Sequence, residues 1–388
     1  MRHLRDLPAY LRDTALRMLP HRTRTGLVRV GSPGRDAPVL VTGNYTLTVR
    51  RLSDALQGRD AWLLCADSRG INVWCAAGGG HLTHHDVISV IRTSGIEAHV
   101  DHRELVLPQL AATGVERREV EAAVGWRARW GPARLEDLGD FLDRGGRIRP
   151  SQRRMRFPLW ERLEMATMWA VPMLAVAMPV VTAVSGLEVA LVSGASMAGA
   201  VASLFAALRF LPVRGRARWL VFATFAALAF ASGGLTLMSL GSATPAHLLV
   251  VGVTAIACMG VLSFDLEGTT PWYGSYINTF RNAAHIELLP DRCTGAAECV
   301  LVCPSEVLKM DGRRRKVEIA RPEQCIQCGA CIVQCPEDAL RFRYDDGEVV
   351  EAPTIRATRM NMLGRRKVVI DPAPESTRDV EAPGRGHD

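Results

Sequence analysis

Lysine is almost missing from this chain: Lys309, Lys316 and Lys367 are the only three among 47 basic residues. The formal net charge of +7 is therefore carried by arginine, as a high-GC coding bias would give. No RNA- or DNA-binding signature accompanies it, so nucleic acid is excluded as the expected partner. Met1-Arg2-His3-Leu4-Arg5-Asp6 leads into no apolar core with a small-residue cleavage site. No signal peptide is expected, and the chain is expected to start in the cytoplasm. Cysteine is too sparse for a disulfide framework, at ten in 388 residues. Seven of the ten crowd between Cys293 and Cys335 at metal-cluster spacing, which requires reduced thiolates.

Charge is absent from the interiors of four apolar stretches at residues 165–184, 189–208, 219–240 and 247–264. Each is long enough to span a bilayer. Transporters and proton relays need ionisable residues at that depth, so this α-helical transmembrane bundle, within residues 151–264, reads as an anchor and scaffold. Lys and Arg are also missing from the connections Ser185–Glu188 and Gly241–Ala246. Arg153, Arg154, Arg156 and Arg162 precede the first span, and Arg209, Arg214, Arg216 and Arg218 separate the second from the third. That asymmetry predicts a multi-pass protein of the inner (cytoplasmic) membrane with both soluble ends in the cytoplasm. Gly194, Ala195, Ser196, Ala198, Gly199 and Ala200 suit close helix packing. Cys258-Met259 reads as a packed thiol and thioether.

Residues 1–150 alternate short apolar runs with helical patterns. Strands are expected at Val39–Val41, Trp62–Cys65, His99–Val100, Leu105–Leu107 and Arg127–Trp130, and helices at Asp86–Thr93 and Leu135–Leu142. A capping box at Thr113-Gly114-Val115-Glu116 predicts a further helix through Ala123. The order implies a Rossmann-like α/β domain with a mostly parallel sheet, whose ligand sits at the carboxyl ends of the strands.

Asn72-Val73-Trp74-Cys75-Ala76-Ala77-Gly78 places a cysteine at the start of a short helix after such a strand end. Asn72 is a strong N-cap, and Gly78-Gly79-Gly80 ends the helix. Free backbone N–H groups and the helix dipole favour a thiolate at Cys75. Ala76 and Ala77 present almost no side chain, so a flat ligand would approach the sulfur closely. For an arbitrary cysteine, burial as a structural thiol is the commoner case. Nearby, His81, His84, His85 and Asp86 read as a solvated helix start, because no partner completes a ligand spacing.

The C-terminal cysteines form two runs. Cys325-Ile326-Gln327-Cys328-Gly329-Ala330-Cys331-Ile332-Val333-Gln334-Cys335-Pro336 is a complete C-x2-C-x2-C-x3-C-P motif of two-cluster ferredoxins. A zinc ribbon is the alternative, and the tight four-cysteine run closed by proline argues against it. In the earlier run, Cys293, Cys299 and Cys303-Pro304 match, but Ala296 stands where the second cysteine belongs. In such ferredoxins the last cysteine of each run crosses to the other cluster, so Cys303, Cys325, Cys328 and Cys331 are expected to hold one [4Fe–4S] cluster. Cys293, Cys299 and Cys335 then hold a [3Fe–4S] cluster, or a [4Fe–4S] cluster with only three cysteine ligands. An α+β dicluster (bacterial-type) ferredoxin domain is expected at residues 289–346. It follows a linker at 265–288 and precedes a C-terminal extension, 347–388, whose tail after Asp371 is expected to be disordered.

The cap-helix run closely resembles that of the mercury-methylation corrinoid protein family, and the C-terminal part resembles that family's separate ferredoxin partner. Val41-Thr42-Gly43-Asn44, Leu107-Pro108-Gln109-Leu110 and Trp130-Gly131-Pro132 also match stretches typical of the family. The first domain is similar, too, to the corrinoid-binding part of the corrinoid iron–sulfur protein of acetyl-CoA synthesis. The resemblance implies a cobalamin-type corrinoid with Cys75 as the lower axial ligand to its cobalt. The run Asn72–Gly78 would line it, with Thr42, Gly43, Asn44, Gln109 and Gly131 nearby; a turn or strand-end structural role is the alternative for each of these five. The implied activity is corrinoid-dependent methyl transfer to Hg(II). The methyl group would come from a methyl-folate system, and the fused ferredoxin, fed by a low-potential electron donor, would keep the cobalt reduced. A thiolate below the cobalt would favour delivery of the methyl group as a carbanion equivalent, which suits a soft metal-ion acceptor.

Four departures from the family stand out. Its cap helix ends in Gly-Lys where this chain has Gly78-Gly79, its ferredoxin carries a C-terminal cysteine pair where no cysteine follows Cys335, Ala296 leaves the first cluster incomplete, and it is usually drawn with five spans. An interfacial helix near Leu159–Leu163 would supply the fifth. Two alternatives stay open: a corrinoid methyltransferase with a non-mercury metal-ion or small acceptor, and a membrane-bound iron–sulfur electron-transfer protein.

Overall fold

The computed structural model describes residues 8, 12–14, 17, 19–213, 217–264, 284–360 and 366–369. The expectations for Met1–Asp6, Arg214, Arg216, most of the 265–288 linker and the tail after Asp371 lie outside the described residues.

Five strands form the first sheet: β1 (Gly26–Val30), β2 (Val39–Gly43), β3 (Ala61–Ala66), β4 (Glu104–Leu107) and β5 (Arg127–Trp130). Their order is β1-β3-β2-β4-β5, parallel except for β1, which runs antiparallel to β3 at the edge. β2 and β3 are buried along their whole length, as strands covered on both faces must be. Alternate residues feed two cores. Val39, Val41, Trp62 and Leu64 pack with helices α2 (Val73–Gly79), α3 (His84–Thr93) and α4 (Arg117–Val124). Leu40 and Leu63 pack on the other face with α1 (Thr46–Ala55) and α5 (Leu138–Asp143). From β2 the chain steps to β3 on one side and then back across to β4 on the other. The boundary between β2 and β4 is therefore the point where such sheets open a crevice beyond their strand ends.

Two local expectations fail here. His99–Val100 is a turn rather than a strand, following a 3-10 turn at Ile96–Ala98. His99 lays its ring against Trp62 (centroids 4.8 Å apart) and Val100 is buried, so the segment caps the sheet instead of joining it. The helix expected to open at Thr113 begins at Arg117, and Thr113 ends a 3-10 turn over Gln109–Thr113. Gly114 explains the delay: a Cβ there would stand 2.5 Å from the Ala77 carbonyl oxygen, so the chain must clear α2 before it can coil.

Three helices are long and apolar enough to cross a membrane, by length and composition. They are α6 (Leu159–Ala207), α7 (Ala217–Ser239) and α8 (Pro245–Phe264). The expected spans 165–184 and 189–208 are thus joined in one helical segment, but Gly186 inside it has φ 86° and ψ 167°. The segment reverses there. A Cβ at Gly194 would meet Met178 Sδ and Leu174, and Arg162 donates to the Ala206 carbonyl, contacts that a straight helix forbids. Four rods therefore pack together, and the stretch near Leu159–Leu163 is the first turn of α6, not a separate helix. Ser242 Oγ donates to Glu188 Oε1 at 2.5 Å, so the two connections lacking Lys and Arg meet at one end of the bundle.

The third part holds an antiparallel sheet, β10-β9-β6, from β6 (Ala284–Leu288), β9 (Leu340–Tyr344) and β10 (Val349–Val350). A hairpin of β7 (Leu308–Asp311) and β8 (Lys316–Ile319) and helices α9 (Glu298–Val302) and α10 (Ala330–Val333) complete it. The sheet starts inside the segment expected to be linker and extends past residue 346. Helix α11 (Ala352–Ala357) and strands β11 (Thr358–Met360) and β12 (Arg366–Val369) follow.

Candidate functional site

The strand ends frame a cleft of about 760 Å3, within the range of small-molecule and cofactor sites. Thr42 reaches it from β2, Asn72, Val73 and Trp74 from the loop and helix after β3, Gln109 from beyond β4, and Gly131 from beyond β5. Gln109 is almost wholly buried; its Nε2 donates to the Arg153 carbonyl (2.8 Å), and its Oε1 has no hydrogen-bond partner. An acceptor stranded in this way marks where a donor on a bound molecule would sit.

The cap of α2 forms as its sequence dictates. Asn72 Oδ1 accepts from the Cys75 amide (3.0 Å), and the helix ends at Gly80 in the left-handed region (φ 79°). Cys75 is exposed on the first turn. Its sulfur lies within electrostatic reach of Arg17 and Tyr45, both of which line the cleft.

Four expected contact residues do other work. Asn44 Oδ1 accepts from the amides of Ser68 and Gly70 and from Ser68 Oγ (2.9, 3.0 and 3.1 Å), which fastens the loop leading to α2. Gly43 permits that loop's approach, since a Cβ there would lie 2.6 Å from Ser68 Oγ. Ala76 and Ala77 are fully buried against the sheet, so their small size serves helix packing and not ligand approach. Gly78 supplies the open space instead, because a Cβ on it would meet nothing within 4 Å. The histidine group divides as well: Thr83, not His81, precedes α3 and shares a capping box with Asp86. His81 sits beside Gly79, and burial, with Arg69 adding to it, lowers its pKa.

Sequence reasoning missed the other wall of the cleft, Arg17, Tyr45, Arg51, Trp160, Glu161 and Glu164. Glu164 is buried and takes Arg17 (3.0 Å) and Arg51 (2.7 Å) on one oxygen, while Arg134 pairs with Glu161 (2.8 Å). Burial, with Arg51 beside it, holds the Arg17 guanidinium down to about 10. The first turn of α6 is thereby bound to the α/β domain. The available signal was two acidic residues in the first turns of an otherwise apolar helix, next to an arginine-rich domain.

The cysteine runs fold alike despite Ala296. Gly295 and Gln327 both have positive φ (78° and 56°), as do Ala297 and Gly329 (63° and 78°) and Glu306 and Asp338 (50° and 48°). Non-glycine residues adopt this region at a cost of about 1–2 kcal/mol, so the matching backbones are imposed by a shared task. Cys303, Cys325, Cys328 and Cys331 line one small cavity. Burial lifts Cys331 well above the ordinary thiol range, with Cys303, Cys328 and Cys325 the next contributors. Cys299 is pushed up to about 12 by burial, then by Cys335 and Cys293. Metal ligation would offset that cost of burial, because a ligating thiol gives up its proton. Val307 N–H donates to Cys303 Sγ and Ala339 N–H to Cys335 Sγ, each at 3.3 Å, so the two crossing cysteines share the same support.

The third part is docked on the first. Gln334 Nε2 donates to the Ala112 and Val115 carbonyls (both 2.8 Å), and Arg117 pairs with Glu298 (2.8 Å). Val302 and Ala330 are buried in the first domain's core.

Residues 16–142 match the family model of the CO dehydrogenase/acetyl-CoA synthase delta subunit, and residues 285–350 that of a 4Fe-4S dicluster domain. Among curated proteins, the acetyl-CoA decarbonylase/synthase complex subunit gamma of Methanopyrus kandleri is 38% identical over 132 residues, covering 34% of this chain and 28% of its own. The subunit gamma of Archaeoglobus fulgidus is 35% identical over 127 residues (32% and 27%), and that of Methanocaldococcus jannaschii 31% over 125 (32% and 25%). The chain thus spans about a quarter of the length of these relatives. It joins a domain like these complex subunits, within residues 16–142, to a 4Fe-4S dicluster domain at residues 285–350.

Proposed function

We propose that this protein is a membrane-anchored corrinoid methyl-transfer protein with its electron supply built in. One observation carries this: Asn72, Val73 and Trp74 line a cofactor-sized cleft, the exposed Cys75 is the next residue of the same capped helix, and a dicluster domain is docked on this domain. The residues suit a corrinoid. Cys75 is exposed, a Cβ on Gly78 one turn later would meet nothing within 4 Å, and the stranded Gln109 oxygen matches the carboxamide N–H groups at a corrin's edge. When bound, the corrinoid supplies a cobalt that takes up and gives up a methyl group.

The chain's own residues then have distinct tasks. Cys75 would hold the cobalt, and Asn72 fixes the start of the helix that carries it. Thr42, Gln109 and Gly131 line the seat, and Trp160 with the Glu161–Arg134 and Glu164–Arg17 pairs closes its far side. Cys303, Cys325, Cys328 and Cys331 would hold a [4Fe–4S] cluster, and Cys293, Cys299 and Cys335 a [3Fe–4S] cluster or a three-cysteine [4Fe–4S] cluster. The four rods anchor the whole in the inner membrane with both soluble parts on the cytoplasmic side. Methyl-folate remains the proposed donor, with a low-potential protein as electron source.

For the acceptor we favour Hg(II), on the cap-helix run. A carbon acceptor is the second reading, favoured by relatives named as subunits of an acetyl-CoA complex. Cobalt and iron analysis after anaerobic purification from cobalamin-fed cells tests the core of the proposal. About one cobalt and seven or eight irons per chain are expected, seven if the Ala296 site holds three irons. Iron without cobalt would leave an electron-transfer protein instead. Cys75→Ala should abolish methyl transfer to either acceptor, and a methylmercury assay separates the two.

A further inference from the structure

We infer that electrons enter the cleft from the Cys303 cluster, through a strap at residues 149–155, and enter the protein at the Cys293 cluster. This rests on the corrinoid reading above. The strap is tied at three points. Gln152 accepts from the Ala133 amide (2.9 Å), Arg153 accepts from Gln109 Nε2 (2.8 Å), and the Met155 amide donates to the Pro304 carbonyl (2.8 Å). Met155 lines the cleft, whereas Pro304 follows Cys303 directly and lines the cavity of the four cysteines. One hydrogen bond therefore separates a wall of the cluster cavity from a wall of the cofactor cleft.

Cys328 of the first set packs against the core of the α/β domain, beside Val302 and Ala330, while the other six cluster cysteines pack in the core of the third part. What separates the two sets is their surroundings. Around Cys293, Asp291, Arg292, Thr294 and Ala296 are exposed, so the corner lacking a cysteine opens to solvent. That is the face an external low-potential protein donor can reach. The docking contacts of Gln334 and Arg117 fix the third part in place, so the transfer is a step within one rigid assembly and not a diffusive encounter of tethered parts.

The step moves one electron and no atoms. The Cys303 cluster goes from its reduced to its oxidised state, the cobalt in the cleft goes from Co(II) to Co(I), and the external donor then restores the cluster by way of the Cys293 site.

The test uses the full chain, purified anaerobically and loaded with corrinoid. After cobalt and iron have been counted, power saturation of the Co(II) EPR signal is measured on samples frozen at a potential where the clusters are partly reduced and Co(II) is still present. Cys325→Ser should lose the relaxation enhancement of the cobalt signal, and Cys299→Ser should keep it. Met155→Pro removes the bridging N–H and should slow reduction of the cobalt by pre-reduced clusters while iron and cobalt contents stay unchanged. Enhancement kept in Cys325→Ser and lost in Cys299→Ser would overturn the route, and so would an equal effect of the two. If Met155→Pro fails to load, the cysteine pair decides alone. A parent protein with iron but no cobalt would instead overturn the corrinoid reading itself, and the route with it.

Discussion

Gly78 and Gly79 follow Cys75 by three and four residues, the spacing that shares one helix face. The sulfur therefore stands on a strip without side chains, while Ala76 and Ala77 turn inward. The motif was legible in the sequence, but the division of labour inside it was not. Both pairs are small residues, and only the position of the sheet decides which pair is inside. Asn44 shows the same limit, since an amide after a strand serves a ligand or a loop equally well until its three donors are placed. Asn72→Ala isolates the cap. It should cost about 1 kcal/mol of domain stability in urea unfolding, because the Cys75 amide loses its acceptor. Bound cobalt should fall with it, while iron should not.

At the level of elements, the apolar stretches were readable because twenty uncharged residues leave few alternatives. Their joining was not readable, because Ser185–Glu188 is short enough to be absorbed into a helical reversal. Gly186 makes that reversal possible with a φ and ψ that only glycine adopts freely. Gly186→Ala should destabilise the purified protein in detergent by about 1–3 kcal/mol, read as a lower unfolding temperature. An unchanged temperature would mean that the arms hold the turn and not the reverse. The 3-10 turn at Gln109–Thr113 was hidden for a different reason: Gly114 is dictated by its contact with Ala77, a neighbour 37 positions earlier, which no local pattern records.

At the level of the whole molecule, the three-part order was legible and the docking was not. Gln334 grips the carbonyls of Ala112 and Val115, and backbone carbonyls carry no sequence signature. The proposed membrane topology assigns the bundle's two ends to opposite sides. Ser242 and Glu188 meet at one, and Arg162 and Ala206 at the other, beside the α/β domain. Ser242→Cys should therefore react with a membrane-impermeant maleimide on intact cells, where the parent protein does not; labelling only after lysis would reverse the assignment. The Gln334 contacts also set a schedule, since 222 residues separate Gln334 from Ala112. At about 5–20 residues per second, a ribosome needs roughly 10–45 s to cover that distance. For that interval the α/β domain is already made, and Met155 has no Pro304 to hold. The nascent chain thus passes through a stage in which the strap is not yet tied to the C-terminal part; on the proposed corrinoid reading, that stage is the window for seating the cofactor.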